Sequence, residues 1–490
     1  MNHRDWSGQK VVIVGAARQG LALARYLAQH GAQVVLNDRR PASELLVEQK
    51  SLSDFPAITW LCGDHPLSLL DGAQVLCISG GVPLSLPLVV EAERRGLPLT
   101  NDSQIFLEAA PCRVIGITGS AGKTTTTTLV GLMAQQAFQN SRVKAWIGGN
   151  IGSPLIANID AMQSDDLAIV ELSSFQLELM TRSPHLAAVL NITPNHLDRH
   201  GTMEAYLAAK ARILEFQTSQ DMVILGRDDS GAWSLAAKAF GRVLSFGTNE
   251  LPSGQAGTFL KGESLYMREA GSDTCIMPRS RIHLRGEHNL LNVLAACAIG
   301  AVAGFSPQAM EKAVDSFFGV PHRLEFVRRW GGADWYNDSI ATAPERTMAA
   351  INSFEEPLVL LAGGRDKDLP WENFAALVCR RPSTTLILFG EAVDKIILSL
   401  SKEMSILRQA QDAYPTATDR AATDRACKPR LPAPITITRC AGLYEAVQAA
   451  AQVVEPGDVV LLSPGGTSFD EFKDFEERGE CFVQWVKELT

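Results

Sequence analysis

Cysteine is scarce and scattered in this chain: nine residues in 490, with no C-x-x-C pair. That spacing counts against a zinc ribbon and a disulfide framework, and it predicts reduced thiols in a cytoplasm. Long apolar runs are missing too. None approaches the roughly 18 residues of a membrane span, so no membrane partner is expected. The opening MNHRDWSGQKVVIVG passes from a polar lead into a short strand, without the apolar core of a secretory leader. Basic charge is in deficit, with 45 Lys and Arg against 54 Asp and Glu and a net charge of −9. Nucleic acid is therefore not an expected partner, because phosphate contacts along it need a basic field; local basic pockets for small anions stay open. No repeat of solenoid period runs through the chain.

What is present is a globular composition, 46% hydrophobic and 20% charged. The length exceeds the roughly 250–300 residues at which a single core stops growing, so two to four domains are expected. The pattern divides into three α/β blocks. KVVIVGAARQGLALARYLAQHGAQVVLNDRR reads as strand, glycine turn, amphipathic helix and a second strand ending at Asp38. The dinucleotide fingerprint G-x-G-x-x-G is incomplete there, because its middle glycine is Ala17. QVLCIS, ending before Gly80 and Gly81, continues this block to about residue 110. A second block carries strands at RVIGITG, LAIVEL and AAVLNIT and is closed by a helix at HNLLNVLAACAIGAVAG. The third begins near Pro321, with strands at PLVLLAGG, TLILFG and DVVLLSPGG. RQAQDAYPTATDRAATDRACKPRLPAP, about residues 407–433, repeats ATDRA and reads as a solvated insertion loop.

The second block holds the strongest chemical signal. In VIGITGSAGKTTTTTLVG, Gly116, Gly119 and Gly122 surround a strand-to-helix turn, with a helix expected from near Lys123. Such a turn aims backbone N–H groups and a helix dipole at phosphate oxygens, while Lys123 adds a point charge. Thr124 or Thr125 is placed to ligate Mg²⁺. Five consecutive threonines are poor helix formers, a concession that phosphate and metal chemistry would explain. The run LAIV leads directly into Glu171, a carboxylate at a strand end, where a second phosphate-site element commonly holds the metal. His196, Asp198 and His200 fall in an expected loop and read either as transition-metal ligands or as phosphate or carboxylate contacts. Lys210 shares an apolar helical stripe with Leu207 and Leu214. It reads either as a snorkelling lysine or as a buried amine of depressed pKa.

TGSAGKTT, ELSSFQLE, LNITPNHLDRHGTMEAYLAAK, GEHNLLNVLAA, PHRLEFV, NDSIATAPE and LLSPGGTSFDEFKDFEERG together resemble the Mur ligase family, ATP-dependent amide-forming enzymes of peptidoglycan precursor synthesis. The resemblance spans all three blocks except the insertion. It is closest to the branch that takes UDP-N-acetylmuramoyl-L-alanine and D-glutamate as substrates. The fold it implies is α/β with three domains: a Rossmann-like N-terminal domain for the UDP substrate (1–110), a central P-loop domain with a mainly parallel sheet for ATP (111–320), and a Rossmann-like C-terminal domain for the amino acid (321–490). A cytoplasmic monomer is expected.

The resemblance also implies site residues. Lys123, Lys210, His196 and Glu171 would be catalytic. Gly119, Ser120, Ala121, Gly122, Lys123, Thr124 and Thr125 would cradle ATP phosphates, Asn289 and Asn292 the adenine, and His322, Arg323 and Asp338 the nucleotide from the third block. Two Mg²⁺ ions are expected on Thr124, Glu171, His196 and a Lys210 carbamylated by CO₂. The UDP substrate would meet Gly15, Asp38, Arg39, Ser79, Gly81, Asn150, Ser173 and Gln176. D-Glutamate would meet Thr342, Lys367, Ser468 and Phe475. The chain departs from the family at NDSIATA, where many members read NDSKATN. Ile340 thus removes a cation, leaving Lys367 or Arg365 to supply it.

Overall fold

The computed structural model describes residues 4–150, 152–381, 383–412 and 435–490. The chain forms two compact units, Met1–Phe317 and Phe318–Thr490. The first contains two sheets. One is made of β1 (Lys10–Val14), β2 (Gln33–Asp38), β3 (Ile58–Cys62), β4 (Val75–Ile78) and β5 (Leu99–Thr100), all parallel, in the order β3-β2-β1-β4-β5. The order reverses next to β1, and ligands of open α/β sheets bind at the carboxyl ends of strands flanking such a reversal.

The second sheet follows with β6 (Arg113–Thr118), β7 (Ala145–Gly149), β8 (Leu167–Glu171), β9 (Leu186–Val189), β10 (Met222–Gly226), β11 (Arg242–Phe246), β12 (Gly257–Lys261), β13 (Ser264–Glu269) and β14 (Ser272–Pro278). Its order is β14-β13-β12-β11-β10-β9-β6-β8-β7. Pairing is antiparallel only at β12–β13 and β13–β14, so the sheet is mainly parallel, as expected. That antiparallel meander has no counterpart among the strands expected from the sequence. The helix Glu287–Ala303 forms where HNLLNVLAACAIGAVAG predicts one. A further helix, Pro307–Asp315, ends the unit, capped by Ser306 with Pro307 in its first turn.

The first two sheets fall in one compact unit because their cores merge. Val34, Leu36 and Phe106 belong to the same buried cluster as Ala168, Val170 and Leu177. The blocks 1–110 and 111–320 thus share one buried cluster, while the other face of the first sheet keeps a core of its own around Val12, Val14, Leu76 and Leu88.

The second unit holds β15 (Glu325–Trp330), β16 (Ala333–Asn337), β17 (Leu358–Gly363), β18 (Thr384–Phe389), β19 (Thr436–Cys440) and β20 (Val459–Gly465), in the order β15-β16-β20-β17-β18-β19. Only β15 is antiparallel to its neighbour. Strands buried on both faces need continuous apolar sequence. β17 supplies it by sending Leu358, Leu360 and Ala362 to one core and Val359 and Leu361 to the other. The helix Val393–Asp412 runs through the start of the expected insertion; the rest, 413–434, lies outside the described residues. No helix among the described residues is long and apolar enough to cross a membrane.

Candidate active site

In the first unit the strongest assembly lies at the carboxyl ends of β6, β8 and β9. β6 ends at Thr118 and the helix Lys123–Ala137 begins five residues later. Its N-cap is Gly122, in the left-handed region at φ 81°, and no side chain caps it. The amides of the first turn have no intrahelical acceptor, so this end carries the partial positive charge that anions seek. Asn191, just beyond β9, clamps the loop: its Oδ1 accepts from the Ala121 amide at 2.8 Å and its carbonyl from the Ser120 amide at 2.9 Å. Ser120 Oγ donates to the Thr193 carbonyl at 2.9 Å.

A Cβ at Gly122 would run into Asn292 Oδ1, so Asn292 packs directly on the loop, and Asn292 Nδ2 in turn donates to Asn289 Oδ1 at 3.0 Å. Gly122→Ala combines that clash with a left-handed backbone, which alone costs about 1–2 kcal/mol. The variant is expected to lose at least that much stability in denaturant unfolding, together with nucleotide affinity. An unchanged midpoint would mean that Asn292 does not pack there.

Glu171, at the end of β8, is 1% exposed. Its Oε2 accepts from Thr124 Oγ1 at 2.9 Å and its Oε1 from Asn150 Nδ2 at 2.9 Å. Neither partner is charged, and among the described residues no cation lies within ion-pair distance of it. A buried carboxylate normally has such a partner. The hard oxygen pair of Thr124 and Glu171 therefore fits a divalent cation.

Lys123 folds back over its loop, its Nζ donating to the Gly119 carbonyl at 2.9 Å and the Ser120 carbonyl at 3.3 Å. Lys210 reaches the same carbonyl from below. Its Nζ lies 2.9 Å from Gly119 O, 3.4 Å from Thr118 Oγ1 and 4.8 Å from the centre of the Tyr206 ring. The side chain does not snorkel; the residue is 1% exposed. Burial, with Lys123 nearby and against the pull of Glu171, lowers its amine from the usual lysine range to about 7. The Tyr206 hydroxyl meets Ser120 Oγ at 3.0 Å, so the helix Met203–Glu215 packs two side chains under the phosphate loop.

His196 adopts the left-handed conformation, φ 53°, as N-cap of a short helix, Leu197–His200, where the sequence predicts a loop. Its ring meets Phe175 edge-on at 5.1 Å. His200 stacks on Phe175 at 5.3 Å and is held by Ser174 Oγ at 3.0 Å and Glu178 at 2.9 Å. Arg199 lies over the same ring at 4.0 Å and donates to the carbonyls of Gly80 (2.9 Å) and Val82 (2.6 Å). Phe175 and Arg199 are thus organising residues that motif reading passes over. The only signal was the lone aromatic in ELSSFQLE. Among the described residues no group of three or more His, Cys, Asp and Glu side chains is arranged to hold a metal.

The first-block candidates surround the turn after β1. Gly15 has φ 102°, and a Cβ on Gly20 would run into its carbonyl, the close helix-to-strand approach that glycine permits. Ser79 Oγ donates to that carbonyl at 3.1 Å. Asp38 accepts from the Ala16 amide at 2.8 Å and from Arg40 Nε at 3.1 Å. Burial pushes its carboxyl up, but the hydrogen bonds from Arg40 and Ala16 outweigh that and hold it at about 2. The guanidinium engaged at this turn is therefore Arg40; Arg39, singled out from the sequence, is exposed, as is Gly81. Ser173 and Gln176 form a capping box at the start of the helix Ser174–Leu177, and Gln176 Nε2 donates to Ser103 at 2.8 Å.

In the second unit, β16, β17 and β20 run parallel, so their carboxyl ends share one edge. Asp338, Thr342, Lys367 and Ser468 gather there. Asp338 accepts from Ser463 Oγ at 2.8 Å and the Leu324 amide at 3.2 Å. Burial pushes its carboxyl up to about 7, against those bonds and the charges of Arg323 and Arg346. His322, at φ 63°, faces Asn337 Nδ2 at 3.1 Å and meets Phe475 edge-on at 6.1 Å. The Phe475 carbonyl accepts from Ser339 Oγ at 2.8 Å.

Arg478 was not among the expected residues. Fully buried and lowered to about 10 by that burial, it ties Ser339 (Nη2 to the carbonyl, 2.9 Å) to Gly466 (Nη1 to the carbonyl, 3.2 Å). Its sequence signal was an arginine in the first turn of a helix, Phe475–Glu488, against the helix dipole. Arg365, one of the two cations offered in place of a lysine at 340, has a carboxylate partner: its guanidinium is held by Glu391 at 3.1 and 3.2 Å.

Known proteins resemble this chain in sequence and in overall fold. The Mur ligase middle domain matches residues 117–300, and the Mur ligase MurD-like, N-terminal domain matches residues 9–101. A UDP-N-acetylmuramoylalanine--D-glutamate ligase of Symbiobacterium thermophilum is 38% identical over 98% of this chain and 98% of its own. One of Acetivibrio thermocellus is 35% identical over 98% and 97%. Among solved structures, the UDP-N-acetylmuramate-alanine ligase MurC of Thermotoga maritima superposes with a TM-score of 0.54 at 18% identity, covering 98% of this chain and 99% of that one. MurF of Acinetobacter baumannii gives 0.55 at 18%, covering 89% and 88%, so the fold is shared well beyond sequence likeness. Identity above one third along almost the whole chain makes this protein a member of the Mur ligase family.

Proposed function

We propose that this chain uses ATP to join D-glutamate to the terminal carboxylate of UDP-N-acetylmuramoyl-L-alanine in peptidoglycan precursor synthesis, the reaction for which its full-length relatives are named. The observation that carries the reading is the assembly of Lys123, Thr124, Glu171 and Lys210 around one uncapped helix N-terminus. On this reading 1–110 receives the UDP moiety, 111–320 ATP, and 321–490 the amino acid.

The γ-phosphoryl group of ATP passes to the substrate carboxylate, giving an acyl phosphate and ADP. The amine of D-glutamate attacks the acyl carbon, a tetrahedral intermediate forms, and phosphate leaves as the amide is made. No protein nucleophile is required, so the side chains contribute position and charge. The Lys123 ammonium offsets negative charge on the transferring group. Magnesium, when bound, would be held by Thr124 and Glu171, with His196 and a carbamylated Lys210 for a second ion; it supplies charge neutralisation between the phosphates. An amine titrating near 7 is half neutral at neutral pH, against about one part in three thousand for an ordinary lysine. The neutral form is the one that adds CO₂, releasing a proton. Asn150, beside Glu171, is assigned to the substrate pyrophosphate.

The test is phosphate release with ATP, Mg²⁺ and UDP-N-acetylmuramoyl-L-alanine across a panel of D- and L-amino acids, with product masses. Release with D-glutamate alone, and the mass of its adduct, is expected. Release only with another amino acid would overturn the acceptor assignment, and release with none would overturn the ligase reading.

A further inference from the structure

The cations at the carboxyl edge of the second unit's sheet differ in what they are already bound to. An acidic amino acid joined through its amine keeps two carboxylates, which need donors here. Arg365 is committed to Glu391, Lys395 to Asp366, and Arg478 to buried carbonyls. Arg346 is different. It stands in the first turn of the helix Pro344–Ile351, and Nη1 donates to the Ile340 carbonyl at 3.3 Å. No carboxylate among the described residues lies within ion-pair distance of it. One N–H of the five on a guanidinium is thereby used for anchoring, and a fork remains for a planar anion.

Arg346 also lines a cavity of about 330 Å³ together with Arg323, Asp338 and Ile340, and with Ala349 and Ala350 on its apolar side. The place is the one where this chain carries Ile340 instead of a lysine. A guanidinium six residues further along the chain reaches back to that residue's own carbonyl, so positive charge returns to the loop from the next helix.

We propose that Arg346 binds a carboxylate of the acidic amino acid substrate and sets the preference for it. The inference rests on the ligase reading above. Lys367, exposed on its loop and with no carboxylate among the described residues within ion-pair distance, is left as a weaker second cation.

The test is steady-state kinetics of the full chain bearing Arg346→Met, with each substrate varied in turn and the folded state checked by thermal unfolding. KM for D-glutamate is expected to rise about 10- to 100-fold, the worth of a charge-assisted hydrogen-bond pair. KM for ATP and for the UDP substrate should stay within about twofold, and the unfolding midpoint should not move, because the side chain is exposed. Adding Ile340→Lys to Arg346→Met should recover most of the loss, which a purely structural role would not allow. An unchanged KM for D-glutamate in a variant of an active enzyme overturns the proposal, as does a rise confined to ATP. A wild-type protein inactive with D-glutamate overturns the acceptor assignment above and this proposal with it.

Discussion

Lys123→Ala is expected to lower ATP-dependent phosphate release about 10³-fold, equivalent to about 4 kcal/mol of transition-state stabilisation. Lys123 Nζ is held over Gly119 and Ser120 by two carbonyl oxygens, at the uncapped end of the helix that begins with it. Phosphoryl transfer has little covalent chemistry for a protein to assist, so losing a positioned positive charge falls directly on the barrier. The fold should survive, because the side chain is only half-buried and its acceptors are loop carbonyls. Rapid-quench phosphate release with saturating ATP measures the effect, and a fully active variant refutes the loop assignment. Removing this charge should also let the Lys210 amine rise towards its ordinary range, since Lys123 is the second cause of its depression after burial.

Lys210→Ala is expected to reduce activity about 10²- to 10³-fold, as for loss of a preorganised charge at the reacting centre. Acetate or another short carboxylate should restore part of it. The buried amine sits among Gly119, Thr118 and Tyr206 with no carboxylate among the described residues within ion-pair distance, where its neutral form can accept CO₂. Deleting the side chain leaves a space for an added anion in place of the carbamate. Rescue by an alkylamine and not by acetate would mean that the residue acts as a cation, and no rescue by either would count against the carbamate role. As pH rises through about 7 the neutral amine becomes the majority form, so wild-type dependence on added bicarbonate should be greatest below that value.

These two lysines mark how far the sequence could be read. Lys123 was legible because the loop that uses it is contiguous: strand, glycines, lysine and threonines follow one another, and local backbone geometry does the rest. Glu171 was legible as a strand-end acid following that loop. Lys210 was only half legible, since apolar periodicity places it on the buried face of a helix but not under the phosphate loop. Phe175, Arg199 and Arg478 were missed because each acts through partners far away in sequence.

The meander β12–β14 had a local signal that was passed over. Ala270 and Gly271, both at positive φ, form the two-residue turn between β13 and β14, and Gly262, also at positive φ, turns the preceding hairpin. Arg39 was chosen over Arg40, and Arg365 was offered as a spare cation, for a related reason. Sequence order does not say which of two neighbouring arginines turns inward, or that Glu391 stands opposite Arg365.

By itself the sequence determined the α/β class, the phosphate loop, the mainly parallel central sheet and the family resemblance, because periodicity and contiguous motifs are properties of short segments. Tertiary structure alone decided the burial that brings Lys210 to about 7, the packing of Asn292 on Gly122 and the Phe175 platform. Each depends on which groups are desolvated together. Desolvation is set by the elements that pack on a side chain, so segments distant along the chain decide it.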